Sequence, residues 1–170
     1  MNDQLLPQAE ADESEVIVVE PTRELLAFMV AAEAYAFDLS NVREILRLKP
    51  ITPVPRTSLS VLGVITVRGQ VTTVFDLRHV LRLEPEDATR HARILLITLG
   101  EEVVGVLVDR VLQVFRLESD EVELTSGASG ESSDHIIGIG RPRERTRSRD
   151  SSADFLVLID PEALIRRFIA

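Results

Sequence analysis

The apolar residues of this chain fall into short runs that are rich in β-branched side chains and are separated by turn residues. Residues 63–78 show the pattern most clearly, since they read GVITVRGQVTTVFDLR, two β-branched runs joined by a tight RGQ. Runs of about four to eight such residues predict strands. The same pattern predicts a hairpin from LLAFMVA and YAFDL with a turn at 32–34, a strand pair from ARILLITL and VVGVLVDRVLQVFRL, and later strands at HIIGIG and FLVLI. Many short strands with few helices favour an all-β barrel or sandwich.

Three segments predict helical turns, and one predicts an irregular connection. SNVREILRL at 40–48 predicts a short helix, because Val42, Ile45 and Leu46 recur at helical spacing and Asn41 with Glu44 matches a capping box. LRHVLRL predicts one or two turns, and DPEALIRRF a closing helix with Asp160 as N-cap and a proline in the first turn. PITPVP at 50–55 predicts an extended surface connection, because its prolines remove backbone donors.

Charge divides the chain into a tail, a domain and two loops. Residues 1–24 contain seven acids against one arginine, which predicts an acidic flexible tail followed by a domain at 25–170. Serine and glycine predict a loop at 126–134, and a second, Arg/Ser-rich insertion covers 141–154. Arginine occupies every second position from 141 to 149, so an extended conformation would place all five on one face. A solvated loop and an arm that docks on an anionic surface, either a partner or the acidic tail, both fit this pattern.

Composition excludes several classes of function. The formal net charge of −9 disfavours nucleic-acid binding, and the absence of cysteine removes disulfides and thiolate chemistry. No run is long and apolar enough to insert into a membrane, and the N-terminus lacks the pattern of a signal peptide. We therefore expect a cytoplasmic protein without direct membrane insertion.

The sequence offers no recognisable catalytic or cofactor motif. The only lysine, Lys49, precedes a proline rather than completing a phosphate-binding loop, and GIGRPR lacks the third glycine of a dinucleotide-binding turn. The three histidines share no metal-ligand spacing. Asp76 and Asp160 follow strands and predict caps for the turns or helices that begin after them. We expect no catalytic residue, metal or cofactor, and an enzyme with an unrecognised active site remains the alternative of another class.

GVITVRGQVTTVFDLR resembles the signature of the CheW family of chemotaxis adaptors, G-(V/I)-(I/V)-N-L-R-G followed by a strand that ends in (I/V)-D-L-R. The matching residues are Gly63, Val64, Ile65, Val67, Arg68, Gly69, Asp76, Leu77 and Arg78. Two positions depart, since Thr66 stands where the family has asparagine and Thr73 where it has proline. The resemblance continues in the same order through YAFDLSNVREIL, PVP, RILLITL, GVLVDRV and FLVLIDPEALI, over residues 25–168.

The resemblance implies the CheW-like fold, two small five-stranded barrels of the Src-homology-3 type packed across an apolar seam, with short helices including a C-terminal one. It also implies a non-catalytic adaptor that couples the cytoplasmic tips of chemoreceptors to the regulatory domain of a CheA-type histidine kinase, in association with membrane receptor arrays. A CheW-like adaptor of a pilus or developmental signalling pathway is the alternative within the same fold.

The resemblance further implies partner-binding positions. Val42, Glu44 and Ile45 match a segment near the receptor groove, and Arg68 with Gly69 matches a turn that contributes to receptor and kinase coupling. Val108 and Asp109 match a segment of the second barrel that borders the same groove, with core burial as the alternative for Val108. From the residues alone, Arg68 is either a solvated turn residue or a guanidinium held towards a carboxylate or carbonyl.

Overall fold

Eleven strands and two short helices make up the part of the chain that the computed structural model describes, residues 21–125, 134–143 and 154–169. The strands are β1 Arg23–Val30, β2 Glu33–Asp38, β3 Val42–Arg47, β4 Val61–Val67, β5 Gln70–Asp76, β6 Arg93–Leu99, β7 Glu102–Val108, β8 Arg110–Leu117, β9 Val122–Leu124, β10 Ile136–Gly140 and β11 Leu156–Ile159. The helices are α1 Leu77–Val80 and α2 Pro161–Ile169. The all-β fold class predicted from the sequence is confirmed.

The strands form two sheets. Strands β3 to β7 form a five-stranded sheet in the order β3-β6-β7-β5-β4, and the remaining strands form a six-stranded sheet in the order β8-β1-β2-β11-β10-β9. The six-stranded sheet exceeds the expected five because a 3-10 turn at Ser119–Glu121 separates β8 from β9. This turn joins β8 directly to β9, and these strands are the two opposite edges of the sheet. The sheet therefore curls into a barrel, called here the terminal barrel. The β3–β7 sheet is called the central barrel.

The central barrel closes through the proline-rich connection after β3. Thr52 exchanges two backbone hydrogen bonds of 2.9 Å with Val64 in β4, which is the far edge of the sheet. Gly63 is required at this crossing, because its φ is +148° and an added Cβ would overlap the carbonyl oxygen of Thr52. The first glycine of the GVITVRG stretch therefore serves the close approach of two backbone segments.

Several strands are buried on both faces, and alternate side chains enter different cores. In β1, Leu25, Ala27 and Met29 fill the terminal barrel, whereas Leu26, Phe28 and Val30 belong to a cluster between the barrels. In β6, Ile94 and Leu96 fill the central barrel, and Leu95, Ile97 and Leu99 join the same intervening cluster. This intervening cluster, called the seam, draws buried residues from both sheets, which explains why these strands read as continuous apolar runs rather than alternating ones.

The prediction of a helix at 40–48 is wrong. Val42–Arg47 is strand β3 and pairs antiparallel with β6, from Val42 opposite Ile97 to Arg47 opposite Arg93. Pairing along β6 satisfies backbone groups that a single isolated helical turn would leave open, and the valine and isoleucine suit a pleated surface. A 3-10 turn at Leu39–Asn41 precedes the strand, and its cap is Asp38, whose Oδ1 accepts a 3.0 Å hydrogen bond from Ser40 N. Glu44 caps nothing.

The predicted caps of the two helices are confirmed. Asp76 Oδ1 accepts a 3.0 Å hydrogen bond from Arg78 N at the start of α1. Asp160 Oδ1 accepts from Glu162 N at 2.9 Å, with Pro161 as the first residue of α2. Strand β1 begins at Arg23, two residues before the expected domain boundary of 25.

Parts of three predictions fall on residues outside those described. These are most of the acidic tail (1–20), most of the Ser/Gly loop (126–133) and most of the arginine-rich insertion (144–153). Neither α1 nor α2, the two helices of the described residues, has the length or the apolar character needed to cross a membrane.

Candidate functional site

The hairpin of β4 and β5 turns on Arg68 and Gly69. Both residues have positive φ, 49° for Arg68 and 80° for Gly69, as a two-residue turn of type I′ requires. Gly69 adopts a positive φ without steric cost, whereas the Cβ of Arg68 makes a positive φ unfavourable for that residue. The hairpin therefore holds an arginine in an unfavourable backbone conformation at its tip, with the side chain directed by the turn.

The Arg68 guanidinium pairs with Glu44. Arg68 Nη2 lies 3.0 Å from Glu44 Oε2 and 3.1 Å from Oε1, so one guanidinium nitrogen contacts both carboxylate oxygens. The side chains are 73% and 29% exposed, so the pair sits on the surface with the carboxylate as the more enclosed partner. Two sequence-predicted site segments, 24 residues apart, are thus brought together across the mouth of the central barrel.

Strand β3 presents one exposed face beside this pair. Arg43, Ile45 and Arg47 are exposed, and they alternate with half-buried Val42, Glu44 and Leu46. Ile45 is 44% exposed, and its cross-strand partner Leu95 belongs to the seam. Because directly paired residues share a face of the sheet, the exposed face of β3 continues the seam surface outward from between the barrels. Glu44 lies on the opposite face of β3, opposite Leu96 of the central barrel core. We call the exposed residues Arg43, Ile45 and Arg47, together with the adjoining Glu44–Arg68 pair, the β3 surface.

A second polar cluster joins the two barrels. Arg78, in α1, donates to Asp109 through Nε at 3.0 Å and Nη2 at 2.5 Å, and Asp109 Oδ2 also accepts from Ala31 N at 2.7 Å. Asp109 lies between β7 of the central barrel and β8 of the terminal barrel, and Ala31 lies in the β1–β2 turn. We call Ala31, Arg78 and Asp109 the seam clamp, because its bonds connect elements of both barrels.

The seam clamp is fixed by further contacts of Arg78. Its Nη1 donates to Glu84 O at 3.0 Å, and its Nη2 pairs with Glu86 at 2.9 Å. The side chain is only 11% exposed, and the hydrogen bond to Asp109 raises the pKa of the Arg78 guanidinium despite the opposing effect of burial. The motif residue Arg78 is therefore an internal tie rather than a surface contact.

The structure separates the predicted partner-binding residues into two groups. Val42, Glu44, Ile45, Arg68 and Gly69 lie at or beside the β3 surface. Val108 has no exposed surface and belongs to the seam, as its alternative interpretation held, and it is the last residue of β7. Asp109 lies in the seam clamp, where its side chain is 33% exposed.

Two residues that the sequence analysis did not assign to the candidate site support it. Arg78 carries the seam clamp, and its position two residues after a capping aspartate was the available signal. Lys49 Nζ donates to Thr66 O at 2.8 Å, which supports the hairpin just before its turn. A contact between residues 17 positions apart leaves no pattern in a single sequence, so Lys49 could not have been found.

Among the described residues, one group of acids has the spacing of metal ligands, Glu118, Asp120 and Glu121. Arg143 occupies this group, since its guanidinium bonds Asp120 and its backbone N donates to Glu121 Oε1 at 2.8 Å. Hydrogen bonds from the backbone of Glu118 and Arg143 lower the pKa of the Glu121 carboxyl. An arginine thus serves as the counter-ion of this exposed cluster.

These features define a protein made of two barrels, whose candidate site is an exposed surface formed by a strand and a hairpin tip. The sequence profile of the CheW-like domain family matches residues 24–168. The chain belongs to this family, and its role is that of a chemotaxis adaptor.

Individual relatives agree with this membership. The chain is 36% identical over 103 residues to chemotaxis protein CheW of Thermotoga maritima, covering 61% of this chain and 68% of the relative. It is 29% identical over 119 residues to protein FrzA of Myxococcus xanthus, covering 70% and 74%. The crystal structure of the scaffolding protein TtCheW of Thermoanaerobacter tengcongensis superposes with a TM-score of 0.74 at 21% identity, covering 85% of this chain and 93% of that one, and so shares its fold.

Proposed function

We propose that this chain couples the cytoplasmic tips of chemoreceptors to the regulatory domain of a CheA-type histidine kinase, as a cytoplasmic, non-catalytic member of a membrane receptor array. The proposal rests on family membership together with one observation, the Glu44–Arg68 pair on the exposed β3 surface. Val42, Glu44, Ile45, Arg68 and Gly69 form the partner-binding region in this proposal.

Two physical properties of the β3 surface favour protein binding. Ile45 provides exposed apolar area on the outward continuation of the seam, where burial against a partner is favourable. Glu44 and Arg68 provide a paired charge whose geometry is set by a strand and a tight turn, so a partner meets a preformed polar contact. Arg43 and Arg47 flank Ile45 on the same face of β3, and an apolar centre flanked by charge is typical of specific interfaces.

A reconstituted array of receptor tip fragments, kinase and this protein tests the proposal. Ile45→Glu and Arg68→Glu are expected to abolish receptor-dependent kinase activation, because they bury an unpaired charge or place two carboxylates together. The matched control is Ile169→Glu at the end of α2, where isoleucine has the same exposure, 43% against 44% for Ile45. The proposal is contradicted if kinase activation survives both Ile45→Glu and Arg68→Glu. It is also contradicted if the control Ile169→Glu abolishes activation to the same extent.

The similarity to FrzA favours a second candidate, an adaptor of a pathway other than flagellar chemotaxis. The same surfaces would then serve a different receptor and kinase pair. Binding of the purified chain to receptor–kinase pairs from both kinds of pathway, measured side by side by calorimetry, distinguishes the two candidates. Heat of binding to one pair only identifies the pathway.

A further inference from the structure

Three arginines surround one surface pocket of the central barrel. Arg47, Arg90 and Arg93 line about 380 Å³ together with Leu48, Ala88 and Thr89. Arg47 and Arg93 are direct cross-strand partners at the ends of β3 and β6. Like charges placed opposite each other on neighbouring strands destabilise a sheet. The positive charge concentrated in this arginine pocket therefore does not contribute favourably to the stability of the fold.

Within residues 21–125, 134–143 and 154–169, no carboxylate forms an ion pair with Arg47, Arg90 or Arg93. Arg93 Nη1 instead donates to the carbonyl oxygens of Arg90 at 3.1 Å and Ala92 at 2.7 Å, which holds it against the loop before β6. The two described arginines of the arginine-rich insertion differ, because Arg141 and Arg143 pair with Glu123 and Asp120. The arginine pocket is thus a cationic site, with Arg93 held in place, that an anionic group would complete.

The chain itself carries the complementary charge in residues 1–20. This segment contains six acids and no lysine or arginine; the acids are Asp3, Glu10, Asp12, Glu13, Glu15 and Glu20. Leu5 and Leu6 lie among them, and the pocket offers an apolar counterpart in Leu48, which is 40% exposed. Both the charge and the apolar content of the segment match the pocket.

The length of the segment suits the distance it must cover. Ser119 Oγ donates to Pro21 O at 3.2 Å, which places the start of the described chain at the outer end of β1. Strand β1 runs roughly 25 Å from there to the seam clamp, and Thr89 lines both the arginine pocket and the pocket beside the clamp. Asp12 can lie roughly 30 Å from Pro21 in an extended chain, and the acids before it can lie farther.

We propose that the acidic segment 1–20 docks into the arginine pocket of its own chain, mainly through its acids at positions 3 to 12. The tether gives the segment an effective concentration on the order of millimolar, so weak contacts suffice. The docking itself is independent of the proposed function, since it requires no partner.

A spin label on the segment tests the docking directly. The chain has no cysteine, so Ala9→Cys creates a single attachment site in the full-length protein. The label is expected to broaden the amide resonances of Leu48, Ala88 and Thr89 at low salt and to spare Thr98 at the far end of β6. The broadening should disappear at about 0.5 M salt, where charges are screened within a few ångströms.

Two variants with the same label attribute the effect to charge. Arg47→Gln/Arg90→Gln and Glu10→Gln/Asp12→Asn should each remove the broadening, because each pair of substitutions removes two charges from one side of the proposed contact. The control Arg166→Gln should retain it, because Arg166 lies beside Gly100 at the β6–β7 turn, roughly 20 Å from the pocket along β6. Broadening centred on Arg143 would place the acids on the arginine-rich insertion and overturn the proposal. Absence of broadening at every site also overturns it and leaves the pocket to an acidic partner.

Discussion

Arg78 and Asp109 lie 31 positions apart and are joined by two hydrogen bonds, from Nε at 3.0 Å and from Nη2 at 2.5 Å. Arg78 lies in α1, which directly follows β5 of the central barrel, and Asp109 is the single residue between β7 and β8. The apolar seam is non-directional, and it supplies contact without fixing an angle. The charged pair and its bond to Ala31 N add directional contacts between elements of both barrels.

Arg78→Ala is expected to destabilise the protein by about 2–3 kcal/mol, because it leaves the Asp109 carboxylate without its charged donors. Urea unfolding measures the change. The control Arg166→Ala removes an exposed pair with Glu162 within α2 and should cost no more than about 0.5 kcal/mol. Equal effects of the two substitutions would contradict a structural role for the clamp.

Combining Arg78→Ala with Asp109→Ala measures the pair itself. The two side chains contact each other, so the double variant should be more stable than the sum of the two single effects predicts. Asp109→Asn should cost less than Asp109→Ala, because the amide oxygen can still accept from Ala31 N. Strict additivity in the double variant would show that the two residues act separately.

The sequence predicted the strands well where their residues settle the choice locally. RGQ between β-branched runs predicted the β4–β5 hairpin, and Asp160 before Pro161 predicted the start of α2. It failed at 42–47, where isoleucine, leucine and a cap-like Asn41 fit a helix as well as a strand. The pairing of β3 with β6, more than 40 residues away, decided that case, and such pairing has no local signature.

The candidate site shows the same division. The sequence drew attention to Arg68 because it occupies a turn. Its ion-pair partner Glu44 could not be predicted, because only the closed central barrel brings the two side chains together. Val108 could be read as surface or core, because a strand buried on both faces carries no alternation to distinguish them. The arginine pocket was not predictable, since Arg47 and Arg93 meet only through the strand register.

Glu44→Ala and Arg68→Ala should each change stability by less than about 1 kcal/mol, because the pair is exposed and Glu44 caps no helix. Both should nevertheless reduce kinase activation in the reconstituted array. Exchanging the charges, Glu44→Arg with Arg68→Glu, tests whether the pair acts as a pair. Recovery of activity in the exchange variant would mean that partners read the geometry and not the individual charges. A large loss of stability in either alanine variant would assign the pair an internal role.

Two glycines of the signature stretch should differ in their tolerance of alanine. Gly69→Ala places a Cβ in open space at a φ of 80° and should cost about 1–2 kcal/mol in backbone strain. Gly63→Ala should cost more, because the new Cβ meets the backbone of Thr52 and forces open the closure of the central barrel. Thermal melts of the two variants give the order, and a smaller effect at Gly63 would contradict this account of closure.

His135 should make stability depend on pH. Burial lowers the pKa of the His135 imidazole below 6.5, with Arg167 adding to the effect and Asp134 opposing it. Its Nδ1 is buried without a hydrogen-bond partner in the described structure. The unfolded state therefore binds a proton at a higher pH than the folded state, and stability present above pH 6.5 is lost as the pH falls through the folded pKa.

Urea unfolding between pH 7.5 and pH 5 compares the protein with His135→Gln. The substitution should flatten the decline in stability below about pH 6.5, because it removes the group that is protonated on unfolding. His79→Gln serves as the matched control, since it removes an imidazole from an exposed position. A slope that is unaffected by His135→Gln would assign the acid sensitivity to carboxyl groups.

The arginine-rich insertion should contribute to binding and not to folding. Its first two arginines, Arg141 and Arg143, are held by Glu123 and Asp120, so the deletion that isolates the remainder covers residues 144–152. The closure entropy of a loop changes slowly with its length, so the variant should melt within a few degrees of the full chain. If the segment docks on an anionic partner, the deletion should weaken binding of receptor or kinase at low salt and have little effect at high salt. Arg143→Gln is the control, because it breaks the contact with Asp120 and keeps residues 144–152. Unchanged affinity of the deletion variant at both salt concentrations would show that the insertion is only a solvated loop.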